Sequence, residues 1–234
     1  MTFTATYGDV GSADTHTAVW TIDGVAQPSS TVTGGVATLV KTFTAAGVYS
    51  VSLKITDDDG GAASANTIGG LDYFIVVYDP SAGFVTGGGW INSPAGAYRA
   101  DQTLVGKANF GFVSKYQKGA SIPTGETQFQ FHAGSLNFHS QSYEWLVIAG
   151  ARAQYKGVGT VNGVAGYGFI LTAIDGPLPG GGGIDKFRIR IYARNIDGSE
   201  GGLVYDNQDT GGLNDALDPA RTALGGGNIV IHAK

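Results

Sequence analysis

Paired carboxylates have the most chemistry to offer in this chain, because two of them about 5–10 Å apart can serve as acid and as base or nucleophile on a glycosidic bond. From residue 84 onward there are three glutamates, Glu126, Glu144 and Glu200. Glu144 stands between Tyr143 and Trp145, so in a strand it shares a face with neither ring. A carboxylate on the wet side of a sheet is the bland reading; a lone sugar-binding carboxylate beside an aromatic is the sharper one. His132 and His139 fall on polar positions of an expected hairpin and could be drawn as a zinc pair. Structural zinc takes about four donors, however, and the chain has no cysteine to complete the set. His16 and His232 read as surface or strand-end residues.

Calcium suits the sequence better, since its ~6–8 oxygen ligands come readily from aspartates and loop carbonyls. Two loops could supply them: Asp57-Asp58-Asp59, and the segment carrying Asp206, Asp209, Asp215 and Asp218. Asp57, Asp58, Asp59, Asp206 and Asp209 are the expected ligands. The competing account is that Asp and Gly simply suit solvated turns. Neither loop has EF-hand spacing, and no other cofactor is called for. Nucleophilic catalysis finds no signature: there is no Gly-x-Ser-x-Gly, and no cysteine. The glycine runs at 87–89 and 180–183 do not end in Gly-Lys-Ser/Thr or open a helix, so they are turns and hinges rather than phosphate loops. No lysine, asparagine and acid stand out as an isopeptide set. The expectation is a protein that is not an enzyme.

The elements that would hold these side chains are strands. The stretch 142–176 reads as an antiparallel meander: a mixed aromatic and branched run at 143–149, then 151–161 with Ala151, Ala153 and Tyr155 on one parity and Arg152, Gln154 and Lys156 on the other, as a half-buried strand requires. Asn162-Gly163 is the strongest short hairpin signal, and 167–174 returns before Asp175-Gly176 closes the run. Upstream, strands are expected at 2–7, 15–23, 36–43, 47–56, 62–66 and 73–78. The one at 47–56 alternates Tyr49, Val51, Leu53 and Ile55 with Val48, Ser50, Ser52 and Lys54. Downstream, they are expected at 84–91, 104–116, 126–139, 186–193, 203–205 and 229–232, and the only helical signal lies at 214–223.

With 39 Gly, 7 Pro and 14% charged residues, a chain of 234 residues divides into two all-β domains, 1–78 and 84–234, joined by a linker at 79–83. A domain of about 150 residues hides roughly two-thirds of its unfolded surface, so disulfides are not needed for a core. No run reaches the ~20 apolar residues of a membrane span, and the N-terminus lacks a signal-peptide pattern, so the chain is either soluble inside the cell or a piece of an exported protein. The net charge of −5 falls entirely on the first 78 residues, where Lys41 and Lys54 face seven aspartates. That balance argues against nucleic acid or an anionic membrane as partner.

Residues 12–18, Ser-Ala-Asp-Thr-His-Thr-Ala, the strand at Trp20, Phe43 with residues 46–51, and residues 55–61, Ile-Thr-Asp-Asp-Asp-Gly-Gly, together resemble a PKD domain, an immunoglobulin-like module of bacterial and archaeal surface proteins. The usual Trp-Asp-Phe-Gly-Asp-Gly type segment is here Trp20-Thr21-Ile22-Asp23-Gly24, and the strand that such domains place before Phe3 is missing, which leaves 3–7 as an expected open edge. Residues 84–234 resemble the post-COAP-1 domain in their Gly-Gly-Gly-Trp-Ile start at 87–91 and in 110–116, 123–131, 136–140, 171–176, 185–191, 205–208 and 225–232. The resemblance implies an all-β fold: an N-terminal Ig-like sandwich without its first strand, then a larger antiparallel β-sandwich of jelly-roll type. It implies an extracellular or cell-surface setting and carries over no catalytic residue.

The function expected from these readings is a non-enzymatic structural or adhesive module whose partners are other copies of itself, neighbouring surface domains or glycans. The open edge at 3–7 and the apolar alternation at Ile229 and Ile231 point to self-assembly by strand exchange, which fails if 3–7 is paired within its own chain. The alternative is a carbohydrate-binding module with Tyr98, Tyr116 or Trp145 stacking on sugars.

Overall fold

Val51, Leu53 and Ile55 alternate with Ser52 and Lys54 along Gly47–Asp57, and the pleat buries all three on one face. This pattern recurs throughout the computed structural model, which describes residues 1–10, 14–32, 34–68, 71–72, 74–77, 79, 81, 83–208 and 218–233 and has no α-helix among them. Contacts divide the chain into two units, Met1–Val77 and Tyr78–Lys234. The first contains β1 (Thr2–Thr6), β2 (His16–Ile22), β3 (Val25–Ala26), β4 (Ser30–Val32), β5 (Val36–Val40), β6 (Gly47–Asp57), β7 (Ala62–Ala65), β8 (Thr67–Ile68), β9 (Leu71–Asp72) and β10 (Phe74–Val77). The second contains β11 (Gly83–Ser93), β12 (Gly106–Tyr116), β13 (Pro123–Phe131), β14 (Leu136–Ala149), β15 (Arg152–Val161), β16 (Val164–Ile174), β17 (Lys186–Arg194), β18 (Glu200–Asp206), β19 (Thr222–Ala223) and β20 (Gly226–Ala233).

In the first unit, β6 lies between β2 on one side and β10 and β7 on the other, and β3 and β4 flank β2. A second sheet of β1 and β5 covers this one. Phe3 and Ala37 meet Ala18, Trp20, Ile22, Val51, Leu53 and Ile55 in one core, with Phe3 and Trp20 ring centroids 5.8 Å apart. The strand at 3–7 is paired on one edge: β1 runs antiparallel to β5 from Thr2↔Val40 to Thr6↔Val36, and Tyr7 N–H continues the pairing by donating to Gly35 O. This sheet has two strands, so the other edge of β1 has no strand beside it among the described residues; what is corrected is exchange of 3–7 itself, since the segment is already paired within its own chain.

The second unit is a curled antiparallel sheet in the order β18-β17-β16-β15-β14-β13-β12-β11-β20, with β19 on β17. Its curl brings β12 over β17, where Phe110 stacks on Phe187 at 4.0 Å, and Phe129, Phe131, Tyr155 and Tyr205 fill the space between the layers. The meander at 142–176 is present, and its turn forms for the expected reason: Asn162 and Gly163 take φ values of 51° and 81°. Asn162 Oδ1 also accepts Asn137 N–H, 2.9 Å. Asn162→Ala is expected to cost about 1–2 kcal/mol in urea unfolding, from left-handed strain in alanine plus the lost acceptor.

Three expectations change. The helix at 214–223 is replaced, where described, by β19, whose Thr222 and Ala223 pair with Phe187 and Lys186. Gln154 is not on a wet face: it is 1% exposed, and its Nε2 donates to Thr172 Oγ1 of the neighbouring strand at 2.8 Å. Ile229 and Ile231 are likewise buried rather than offered for exchange, because β20 is paired with β11 on one edge. On its other edge two carboxylates take the N–H groups, Asp185 Oδ2 accepting from Ile229 at 2.7 Å and Asp175 Oδ2 from Ile231 at 2.8 Å. At the far end of the sheet, Val204 O accepts Arg99 N–H and Ala97 O accepts Asp206 N–H, so β18 is covered as well. Sheet edges blunted in this way do not recruit other chains.

Candidate functional site

Two of the three glutamates, Glu144 and Glu200, gather around Tyr192 and Arg194, and Glu126 does not join them. Glu144 sits at a bulge of β14, between the register shifts around Tyr143 and Trp145, and pairs with Lys156 at 3.7 Å and Arg194 at 3.5 Å. Glu200 pairs with Arg190 at 3.4 Å. Both carboxylates act on Tyr192, whose hydroxyl is pushed far above its ordinary range, chiefly by burial and then by Glu200 and Glu144. Glu126 lies elsewhere, on β13, where its Oε1 accepts Gln128 Nε2 at 2.6 Å.

Among the described residues, no group of three or more His, Cys, Asp or Glu is placed to hold a metal ion. Asp57 Oδ1 accepts Gly61 N–H at 2.7 Å and Asp58 Oδ1 accepts Thr15 N–H at 3.3 Å, so these carboxylates close the β6–β7 turn and its neighbour. Asp59 is exposed on the same turn. Asp206 is bonded to Arg188: Nε donates to Oδ1 at 3.0 Å and Nη2 to Oδ2 at 2.7 Å, with both side chains fully enclosed. Asp209 and Asp215 lie outside the described residues. His132 occupies the turn between β13 and β14, its Nε2 3.1 Å from Asn109 Nδ2. His139 pairs with Gln128, three residues beyond the Leu136 that faces Phe131 and so ~10 Å down the strand. The two histidines are not a ligand pair.

Two of the three aromatics expected to meet sugar are used for packing. Tyr98 leans edge-on against Phe131 at 6.1 Å, and the Tyr116 hydroxyl both donates to Leu146 O at 3.1 Å and accepts Leu146 N–H at 3.0 Å. Trp145 is half-buried, across from Lys156.

A different face has the form of a site. On the outside of β12 and β13, Asn109, Gly111, Val113, Glu126, Gln128 and Gln130 line a groove of ≈ 470 Å³, within the range of small-ligand sites. Strand alternation builds it: Phe110, Phe112, Phe129 and Phe131 point into the core, so the residues between them must point out. Register sets the walls, with Asn109 across from Gln130 and Gly111 across from Gln128. The neighbouring strand β11 continues the face, placing Trp90 beside Asn109, Gly88 beside Gly111 and Thr86 beside Val113. The Lys107 ammonium rests 4.8 Å from the Trp90 ring centroid.

The glycines of β11 and β12 are of two kinds, core-facing and outward. Gly87 and Gly89 are needed, since a Cβ on the first would meet the Phe112 ring at 2.5 Å and on the second would collide with Gly226 O. Gly88 and Gly111 are not needed by the chain. A Cβ on Gly111 would meet nothing within 4 Å, one on Gly88 only Phe110 O at 3.9 Å, and neither has positive φ. A glycine inside a strand costs roughly 0.5–1 kcal/mol against alanine. Two of them side by side, without steric cause, mark a place where something else approaches the backbone closely. Sequence reading passed over this floor; the signal lay in the alternation of Gln128 and Gln130 with Phe129 and Phe131, and of Gly111 with Phe110 and Phe112.

Comparison with protein-family models, with curated proteins and with solved structures finds no match to this chain.

Proposed function

We propose that this chain is a non-enzymatic structural and adhesive module of a bacterial surface or secreted protein, in which the second unit holds an extracellular polymer in the β12–β13 groove. The observation that carries the reading is the bare backbone of Gly111 in the groove, beside the amides of Asn109, Gln128 and Gln130 and continued on the neighbouring strand by Gly88, open backbone that the fold itself does not require. Chemistry has no foothold there: the one ionisable group in the lining is Glu126, and its carboxylate is bonded to Gln128. General acid–base work on a glycosidic bond needs a second carboxyl group beside the first. No metal enters the proposal. The PKD-like and post-COAP-1-like motifs support the surface setting. Self-assembly by strand exchange through β1 or β20 is left out, because β1 is paired and β20 is covered on both edges.

The test is surface plasmon resonance with the full chain immobilised, over a panel of cell-wall polysaccharides and matrix proteins, together with a reducing-sugar assay on each polysaccharide. Retention of at least one polymer without release of reducing ends is expected. Turnover of any polysaccharide, or no retention across the panel, overturns the reading.

A further inference from the structure

We infer that the occupant of the groove is a neutral polysaccharide, lying on the bare backbone of Gly88 and Gly111 with its hydroxyls bonded to Asn109, Gln128 and Gln130; this rests on the groove being the binding face of the second unit. The lining selects the class. Amide side chains carry two N–H donors and an acceptor oxygen, and a sugar hydroxyl donates and accepts in the same way, so each wall residue can bond a hydroxyl in either sense. An anionic polymer would need cations in the groove, and the charge in the lining is the carboxylate of Glu126, the Lys107 ammonium lying beyond Asn109 and held over Trp90. A cationic one would find a single carboxylate that is already bonded to Gln128 at 2.6 Å. An apolar ligand would find one outward apolar side chain, Val113, since the rings of Phe110 and Phe112 are buried against Phe187.

Spacing supports a chain rather than a single sugar. Asn109 and Gln130 face each other across the strands, and Gln128 follows Gln130 two residues along the same face, ~6.6 Å away. Polar handles therefore recur along the groove. A flat ring needs a flat floor, and Gly111 provides one where any side chain would stand up into the groove, with Gly88 continuing it on the neighbouring strand.

The glycine floor also gives an unusually clean test. Because a Cβ at Gly111 meets nothing and its φ is ordinary, Gly111→Val suits the strand better than the native residue does, while filling the groove. Its melting temperature is expected to rise by ~1–4 °C. Wild type and Gly111→Val, with Gln128→Ala and Gln130→Ala as variants that remove hydrogen bonds without filling space, would be run in affinity electrophoresis. The gels would hold mixed-linkage β-glucan, xylan or galactomannan as neutral probes, and alginate or polygalacturonate as anionic ones.

Retardation of wild type by a neutral polysaccharide, at least tenfold weaker in Gly111→Val and weakened in both Gln variants, supports the inference. Retardation by anionic polymers alone, or capture of matrix proteins alone in the resonance panel, overturns the ligand class but leaves the groove as the binding face if Gly111→Val abolishes it. Neutral binding that survives in a folded Gly111→Val moves the site elsewhere and overturns both readings. No retardation by any neutral probe overturns the ligand class.

Discussion

Arg188→Met is expected to destabilise the second unit by roughly 3–5 kcal/mol, because it removes the partner of a carboxylate that water cannot reach. Arg188 and Asp206 are 1% and 0% exposed and form a two-pronged pair, Nε to Oδ1 at 3.0 Å and Nη2 to Oδ2 at 2.7 Å. Without the guanidinium, Asp206 stays buried with Arg190 4.0 Å from one oxygen and the Gln208 N–H 3.0 Å from the other. Such a loss is a large part of the ~5–15 kcal/mol that holds a typical domain together. Replacing both partners tells whether the pair itself stabilises or only its breaking costs. Arg188→Met with Asp206→Leu is expected to recover most of the loss, since an apolar pair of similar volume removes the desolvation penalty along with the attraction. The double variant does give up the cap on Gln208, which sets a limit of about 1–3 kcal/mol on the recovery. Urea unfolding of the full chain, read by hydrogen exchange over 186–208, measures each corner of the cycle. A cost below ~1 kcal/mol for Arg188→Met would show that the pair is hydrated.

This pair also shows where sequence reading stops. The alternation of Phe187, Ile189 and Ile191 with Lys186, Arg188 and Arg190 gives the strand and its inward face correctly, because period-two burial is a local property. It puts Arg188 on the wet side. Its burial depends on Asp206, eighteen residues away in the chain, and nothing local in either segment records that meeting. Gln154 and Thr172 were hidden by the same limitation. The fold class, the meander and the Asn162-Gly163 turn were legible because each rests on neighbours in sequence. The candidate site was half legible: alternation puts Asn109, Gln128 and Gln130 on an outer face, but only the register Gly88↔Gly111↔Gln128 brings two idle glycines together beneath an amide wall. Two of the three expected sugar platforms, Tyr98 and Tyr116, are drawn into packing for the converse reason. An aromatic beside a turn looks exposed in sequence, and the curl of the sheet folds Tyr98 and Tyr116 back onto the core.

The second large effect is expected at the closing edge of the sheet. Asp175 and Asp185 each use a carboxylate oxygen to accept an N–H of β20, at Ile231 and Ile229, two residues apart, where one edge of a strand presents its donors. Asp185 Oδ1 further accepts Gly176 N–H at 2.8 Å, which fixes the turn between β16 and β17 that carries both acids. Hydrogen bonds to a charged acceptor contribute roughly 1.5–3 kcal/mol each, so Asp175→Ala and Asp185→Ala should each cost about that much. The double variant should cost close to their sum if the two latches act independently, and less if losing one already frees the strand. A fall in stability alone would not distinguish a latch from a generic packing defect. Amide exchange does, because the latch account requires Ile229 and Ile231 N–H to lose protection in the variants before the β14–β15 amides do. It also requires a new property, since an unlatched β20 offers bare donors beside two buried isoleucines, 1% and 5% exposed in the native unit. Such an edge recruits other chains. Light scattering of the double variant is therefore expected to show more concentration-dependent assembly than the native chain under the same conditions, and a variant that loses stability with no added assembly and with Ile229 and Ile231 still protected would refute the latch.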